Sequence, residues 1–143
     1  MKVKQISIFL ENKAGRLQDA LSVLAREKIN IRALAIADTS EFGILRIIVT
    51  DPDRAVALLT ENHFTVRQTE VIAIGVSDQP GGLSGALDIL RKADINVEYL
   101  YAFVKQSAEK AVVILRVEDV EAGRKILEAN QVTVLSAEEI YAM

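Results

Sequence analysis

Two short loops carry the residues whose types and spacing are best suited to chemistry. Each has a polar residue three positions before a glycine and runs into apolar residues at helical spacing. The glycine allows a sharp turn and a close approach of the backbone to a ligand. The free N–H groups that open the following helix favour an anion such as a carboxylate. The loops are Asn12-Lys13-Ala14-Gly15-Arg16-Leu17 and Asp78-Gln79-Pro80-Gly81-Gly82-Leu83.

The leading polar residue differs between the two loops. The Asn12 amide can donate to a carboxylate and accept from an ammonium, whereas an ionised Asp78 can only accept. These groups suit the α-carboxylate and α-ammonium of a free amino acid. The alternative is that Asn12 and Asp78 only cap a helix or close an Asx-turn. Because Lys13 and Arg16 are cationic, we expect unequal sites, with the first loop better suited to the acid group.

The sequence offers little for catalysis or for metal binding. It contains no phosphate-binding Gly-x-x-x-x-Gly-Lys loop, no His-Glu-x-x-His and no Gly-x-Ser-x-Gly. The only histidine, His63, follows Asn62 at a predicted helix end and is interpreted as a cap or a solvated side chain. The absence of cysteine excludes disulfides, thiolate zinc sites and cysteine nucleophiles. We therefore expect a protein that is not an enzyme and that needs no metal or cofactor.

Charge and length exclude further classes of partner. The 143 residues include 17 basic and 20 acidic side chains, a net charge of −3 that gives no reason to expect binding to nucleic acid or to an acidic membrane. No apolar stretch approaches the ~20 residues that span a bilayer. The start, Met1-Lys2-Val3-Lys4, lacks the apolar core of a signal peptide, so we expect a cytoplasmic protein.

The chain contains an internal repeat. When Ile6–Ile36 is laid over Ile72–Ala102, an offset of 66, ten of the 31 positions are identical. The alignment then continues at an offset of 68, which pairs Asp51 with Asp119. A period near 67 residues exceeds that of solenoid repeats and indicates a duplicated small domain. The repeat predicts two domains, residues 1–69 and 70–143, joined near Glu70.

Both copies follow the same pattern of secondary structure. Alternating apolar residues predict strands, and apolar residues at helical spacing predict helices. In the first copy the order is a strand around Ile6–Leu10, a helix from Leu17, strands over Asn30–Asp38 and Ile44–Thr50, a helix from Pro52 and a strand over Phe64–Thr69. This order predicts an α+β fold of two ferredoxin-like βαββαβ domains, each an antiparallel sheet with helices on one face.

The predicted sheets have more apolar surface than their own helices can cover. In the third strand Ile44 and Ile48 lie on one face and Leu45 and Ile47 on the other, so the sister repeat or a second chain must cover the surplus. In the second copy Tyr99, Tyr101 and Phe103 share one face of a strand. This stripe either packs in a domain or dimer interface or contacts a ligand. We therefore expect a homodimer.

The two loops resemble the signature of the ACT domain. The resemblance lies in Asp78-Gln79-Pro80-Gly81-Gly82-Leu83 with Ile95-Asn96-Val97, and in the looser first copy with Ile29-Asn30-Ile31. It implies two tandem ACT domains that bind a free amino acid between paired domains. The loop residues named above would then contact the ligand, and a partner domain would contribute Asn30 or Asn96. Ala14 stands where the family usually has proline, so the first turn is less rigid.

The resemblance implies a stand-alone amino-acid sensor that signals through its oligomeric state or through a regulated enzyme. Two alternatives remain open at this point. One is an interaction module that kept the ACT fold for protein–protein contact and lost the ligand. The other is an enzyme of the same architecture, such as an acylphosphatase. The second alternative lacks a phosphate-binding loop after the first strand, because Arg16 lies beyond the turn.

Overall fold

The fold is an α+β arrangement of two βαββαβ units, as the sequence predicts. A computed structural model describes residues 2–38, 41–103 and 110–143. In chain order the elements are β1 (Val3–Glu11), α1 (Arg16–Arg26), β2 (Ile31–Asp38), β3 (Phe42–Val49), α2 (Pro52–Glu61), β4 (Thr65–Ser77), α3 (Gly82–Lys92), β5 (Val97–Ala102), β6 (Lys110–Val117), α4 (Val120–Ala129), β7 (Thr133–Leu135) and α5 (Ala137–Ala142).

The N-terminal unit comprises Lys4–Thr69 and Tyr141–Met143. Strand β3 lies between β1 and β2 and is antiparallel to both, and β4 follows on the other side of β1. Alternate residues of β1 and β3 form a core with the apolar faces of α1 and α2, as helices on one face require. Its fully buried members are Ile6, Ile8, Ala20, Leu24, Ile47, Val49, Ala55 and Leu59.

The C-terminal unit comprises Met1–Val3 and Glu70–Ile140. Here β6 lies between β4 and β5, and β7 pairs with the other side of β4. The core again joins alternate strand residues to two helices, now α3 and α4. Its fully buried members are Ile74, Leu90, Leu115, Val117 and Leu127.

Corresponding elements of the two units have the spacing of the sequence repeat. Helices α1 and α3 begin 66 residues apart, at Arg16 and Gly82, and α2 and α4 begin 68 apart, at Pro52 and Val120. The 13-residue strand β4 runs through Glu70, the predicted join between the two copies. The chain therefore passes from one copy to the next in extended conformation.

The sheet faces that point away from the helices carry both apolar and polar side chains and are partly buried. In the N-terminal unit Ala33 and Ile48 are fully buried, and the Gln5 amide donates to the Ser7 hydroxyl at 3.3 Å. Phe42, on the same face, is 57% exposed. In the C-terminal unit Tyr101 is buried beside Ile114, its partner on β6. The central residue of the predicted aromatic stripe is thus a packed side chain.

The four longer helices, α1 to α4, end in the same way. The residue after each C-cap has a positive φ although it is not glycine: 58° at Lys28, 67° at His63, 58° at Asp94 and 64° at Gln131. The next N–H donates to a carbonyl five residues earlier, as from Ile29 to Leu24 at 3.0 Å. This is the Schellman arrangement, which glycine usually occupies. The structure thus places His63 at a helix terminus.

Helix α5 was not predicted from the sequence. Its start is a capping box in which Glu139 N donates to Ser136 Oγ and Ser136 N donates to Glu139 Oε2, both at 3.1 Å. Near its end, Tyr141 belongs to the N-terminal unit. There Lys4 N donates to the Tyr141 hydroxyl at 3.1 Å, and Arg32 Nη2 donates to the Tyr141 carbonyl at 3.3 Å.

Candidate functional site

The first predicted loop forms a tight turn between β1 and α1. Gly15 is the N-cap of α1 and has a φ of 90°, a left-handed conformation that glycine adopts without strain. The turn is held by backbone bonds from Asn12 N to Glu41 O at 2.9 Å and from Arg16 N to Lys13 O at 3.3 Å. All of its residues except Arg16 are exposed.

The second loop repeats this geometry between β4 and α3. Gly81 is the N-cap with a φ of 90°, and Gly82 N donates to Gln79 O at 3.0 Å. At Gly82 a Cβ atom would overlap the carbonyl oxygen of Ser77, so any side chain there would force the backbone of the turn to shift. Gly82 is therefore a steric requirement of this turn, whereas Gly81 is favoured by its left-handed backbone conformation.

Each loop presents unpaired backbone donors. The N–H groups of Leu17 and Gln18 have no acceptor among the described residues, and the same is true of Leu83 and Ser84. Asp19 N and Gly85 N donate to the glycine carbonyls at 2.9 Å and close the first turn of each helix. Two N–H groups at the positive end of a helix can hold one carboxylate.

The cations of the first loop are paired with nearby acids. Lys13 Nζ lies 3.1 Å from Glu11, and Arg16 Nη1 lies 3.3 Å from Asp19. The Arg16 guanidinium also lies over the Phe64 ring at 4.9 Å, and its Nε is buried without a hydrogen-bond partner among the described residues. Nearby carboxylates thus neutralise more of this loop's positive charge than the loop sequence alone indicates.

Asn30 and Asn96 lie at the far end of the helices that the loops begin. Helix α1 has 11 residues, about 16 Å of helix, between the Asn12 loop and Asn30. Asn30 Oδ1 accepts from Ile31 N at 2.9 Å, and Thr50 N donates to the Asn30 carbonyl at 3.0 Å. A loop and the asparagine of its own unit therefore cannot touch one small ligand together.

Asn96 lines an open groove of about 570 Å³ between α3 and β5. Charged side chains beside it include Asp88, Arg91 and Asp94, which were not predicted from the sequence to belong to a site. Hydrogen bonds from Arg91 first, and then from Lys92, hold the pKa of Asp88 below its ordinary value. Arg91 and Lys92 follow Asp88 by three and four residues, a spacing that favours ion pairs on one face of a helix. This spacing is the one feature of the sequence that could have predicted the cluster.

Other kinds of site find no support in the part of the chain that the structure describes. Within residues 2–38, 41–103 and 110–143, no group of three or more His, Asp or Glu side chains could hold a metal ion. None of the helices formed by these residues is long and apolar enough to cross a bilayer.

Comparisons with known proteins agree with this architecture. The model of the ACT domain pair family matches residues 1–143. The crystal structure of protein BT0572 from Bacteroides thetaiotaomicron is 40% identical, covers 100% of this chain and 98% of its own, and superposes with a TM-score of 0.94. No curated protein matches the chain.

Two regulatory subunits of aspartate kinase share the fold at lower identity. The ligand-free subunit from Thermus thermophilus is 15% identical with a TM-score of 0.64, covering 90% of this chain and 93% of its own. The subunit from Thermus flavus is 13% identical with a TM-score of 0.61, covering 90% and 92%.

Proposed function

The chain belongs to the ACT domain pair family, and from this premise we propose that it is a regulatory protein that binds a free amino acid. The observation that carries the proposal is the shared geometry of the two loops. In both, a left-handed glycine begins a helix whose next two unpaired N–H groups are available to one carboxylate.

The polar residue three positions before each glycine would bind the other charged group of the amino acid. We assign the ligand's ammonium group to Asn12 or to Asp78, both of which are exposed. The remaining loop residues, Lys13 to Leu17 and Gln79 to Leu83, shape the turn around the ligand. Asn30 or Asn96 would come from a neighbouring ACT unit, because each lies about 16 Å from its own loop.

The biological setting follows from the same proposal. As a sensor, the protein would act through a homodimer whose arrangement changes or through an enzyme that it regulates, in the cytoplasm. Coupling requires that the amino acid binds one arrangement more tightly than the other. The aspartate kinase subunits are examples of this fold in regulatory subunits of an enzyme.

An interaction module without a ligand is the second candidate. It is favoured by the exposed aromatic residues Phe9 and Phe42, 42% and 57% exposed, on the sheet face that points away from the helices.

A thermal-unfolding panel with the twenty amino acids separates the two candidates. An amino acid at 100 times its Kd adds about 2.7 kcal/mol of stability, a shift of several degrees. One or two clear hits support the sensor. No shift at millimolar concentrations contradicts it and supports the interaction module.

The separate variants Asn12→Ala and Asp78→Ala then test the asymmetry of the two loops. Each should weaken binding at its own site roughly tenfold to a hundredfold, with the larger loss for Asn12→Ala if the first loop binds best. Calorimetric titration measures this. Asn130→Ala, at the far end of α4, is the control and should bind like the parent chain. Equal losses in the two loop variants would contradict the asymmetry.

A further inference from the structure

The C-terminal unit contains a pocket of about 370 Å³, which we call the α4 pocket. It is lined by residues of α4, β4, β7 and the start of β1, all of which belong to this unit. Its volume lies within the range of about 300–1,000 Å³ that is typical of small-molecule sites. The described residues that line it include none from either glycine loop. The α4 pocket is therefore separate from the loop sites.

The wall of the α4 pocket is apolar and its rim is charged. The rim carries the exposed side chains of Lys2, Glu121 and Glu128 and the half-buried side chain of Arg124. A few charged groups around an apolar surface are typical of sites that orient a small ligand. The wall includes the buried or half-buried residues Val71, Ile72, Ala73, Val120, Val134 and Leu135.

Two carboxylates position Arg124 at the rim. Its Nη1 donates to Glu128 Oε1 at 2.9 Å, and its Nη2 donates to Glu121 Oε1. The hydrogen bond from Arg124 holds the pKa of Glu121 below its ordinary value, so this carboxylate is ionised at neutral pH. Arg124 makes three hydrogen bonds in all, so two of its five N–H donors have no acceptor among the described residues. The first copy has Val56 at this position, and the guanidinium is thus specific to the second copy.

The equivalent space in the N-terminal unit is bridged by side chains. The repeat aligns Glu121 with Asp53 and Ser136 with Gln68. Gln68 Nε2 donates to Asp53 Oδ1 at 3.2 Å and ties β4 to α2. Ser136 Oγ instead accepts from Glu139 N in the cap of α5. The bridge of the first copy therefore has no counterpart at the α4 pocket among the described residues, which leaves the pocket open.

We propose that the α4 pocket binds a free amino acid with a branched apolar side chain, such as leucine. The side chain would lie on the apolar wall, the carboxylate would accept from Arg124, and the ammonium would donate to Glu121 or Glu128. The rim has two cations and two anions, so a ligand with one charge of each sign keeps it balanced. A ligand with a net charge would bring an unmatched charge into the pocket, which is costly. This site goes beyond the proposed function and rests on none of its residues.

Methyl NMR during a titration with leucine locates the bound side chain. We expect the methyl signals of Val120 and Val134 to shift at millimolar leucine and to stay unchanged with glutamate, whose side chain is charged. Shifts confined to Leu17 or Leu83 would place leucine at the loops and overturn the proposal. The absence of any shift at Val120 and Val134 would overturn it as well.

Removal of the guanidinium tests the polar half of the site. Arg124→Met keeps most of the apolar chain, and we expect it to weaken leucine binding at the α4 pocket roughly tenfold or more. Lys125→Met, at the next and exposed position of α4, is the control and should bind leucine like the parent chain. Circular dichroism checks that both variants are folded. Unchanged leucine affinity in a folded Arg124→Met variant would overturn the proposal.

Filling the pocket tests the apolar half independently of charge. Val120→Phe places a larger side chain in the wall, and we expect it to abolish the leucine-dependent shift of the Val134 methyls. A folded Val120→Phe variant in which this shift persists would overturn the proposal.

The outcome is separable from that of the proposed function. Asn12→Ala and Asp78→Ala should leave the leucine-dependent shifts of Val120 and Val134 unchanged. Those shifts in a chain whose loops bind no amino acid would support the α4 pocket and contradict the loop sites. Amino-acid binding at the loops without those shifts would do the reverse.

Discussion

Gly82 is the position at which the second loop tolerates least change. A Cβ atom there would overlap the Ser77 carbonyl oxygen, and a backbone atom cannot move aside cheaply. We predict that Gly82→Ala destabilises the protein by about 2 kcal/mol or more, by forcing the turn into α3 to shift. Urea unfolding measures the change.

Gly85 supplies the matched control for this substitution. It lies three residues further along α3, and a Cβ atom there would have no heavy atom within 4 Å. Gly85→Ala should therefore stabilise the protein by about 0.5–1 kcal/mol, since alanine favours a helix. Equal effects of the two substitutions would show that helix propensity, not overlap with Ser77, decides the outcome at Gly82.

Asp53 makes one part of the stability depend on pH. Hydrogen bonds from Gln68 and then from Lys4 hold the pKa of Asp53 below 3.8. A lowered pKa in the folded state means that this contribution is complete above the unfolded pKa and is lost as the pH falls through the folded one. We predict that Gln68→Leu raises the pKa of Asp53, measured by carboxyl NMR, and makes unfolding less sensitive to acid. A parent Asp53 pKa of 3.8 or higher would contradict this interpretation.

The helix ends offer a way to stabilise the fold without touching its core. Lys28 has a φ of 58°, where a side chain costs about 1–2 kcal/mol relative to glycine. Glycine at this position would remove that cost. Part of the stability gained is lost again because glycine makes the unfolded chain more flexible. We predict that Lys28→Gly raises the free energy of unfolding by about 0.5–1 kcal/mol, measured by urea titration.

Arg26 tests whether the gain at Lys28 comes from its backbone conformation. It is exposed and is the last helical residue of α1, so Arg26→Gly should destabilise the protein by about 0.5–1 kcal/mol. The two substitutions are two residues apart and should have opposite signs. Destabilisation by both would contradict the conformational explanation.

Most elements of this fold could be predicted because the sequence contains two copies of the same domain. Weak signals such as Leu17, Leu21 and Leu24 at helical spacing gain weight when Leu83, Leu87 and Leu90 repeat them. Helix α5 has no counterpart in the first copy, and it is only six residues long. Its one local signal is the Ser136–Glu139 capping box, which periodicity does not detect.

The candidate site was less predictable than the fold, because pairing between side chains depends on geometry. The sequence shows Lys13 and Arg16 as cations but not that Glu11 and Asp19 bind them. It likewise does not show that Asp88, Arg91 and Asn96 line one groove, since the turn after α3 brings them together.

The last residues of the chain contribute to the stability of the N-terminal unit. The Tyr141 hydroxyl accepts from Lys4 N, across 137 positions of sequence. We predict that Tyr141→Phe destabilises the protein by about 1 kcal/mol in thermal or urea unfolding, because the N–H of β1 loses its acceptor. Glu138→Gln, an exposed change on the same helix, is the control and should stay within about 0.5 kcal/mol of the parent. If Tyr141→Phe leaves the free energy of unfolding unchanged, water has replaced the hydroxyl as the acceptor, and the prediction is contradicted.

The steric requirement at Gly82 also bears on how the two halves can diverge. Gly82 occupies the place that Arg16 holds in the first copy, and Arg16 lies over Phe64 there. Since the Ser77 carbonyl oxygen lies where a Cβ atom at Gly82 would be, an arginine at this position would require the turn into α3 to shift as well. The loop of the second half therefore cannot take on the side chain of the first by substitution at Gly82 alone, because the backbone from Ser77 would also have to move.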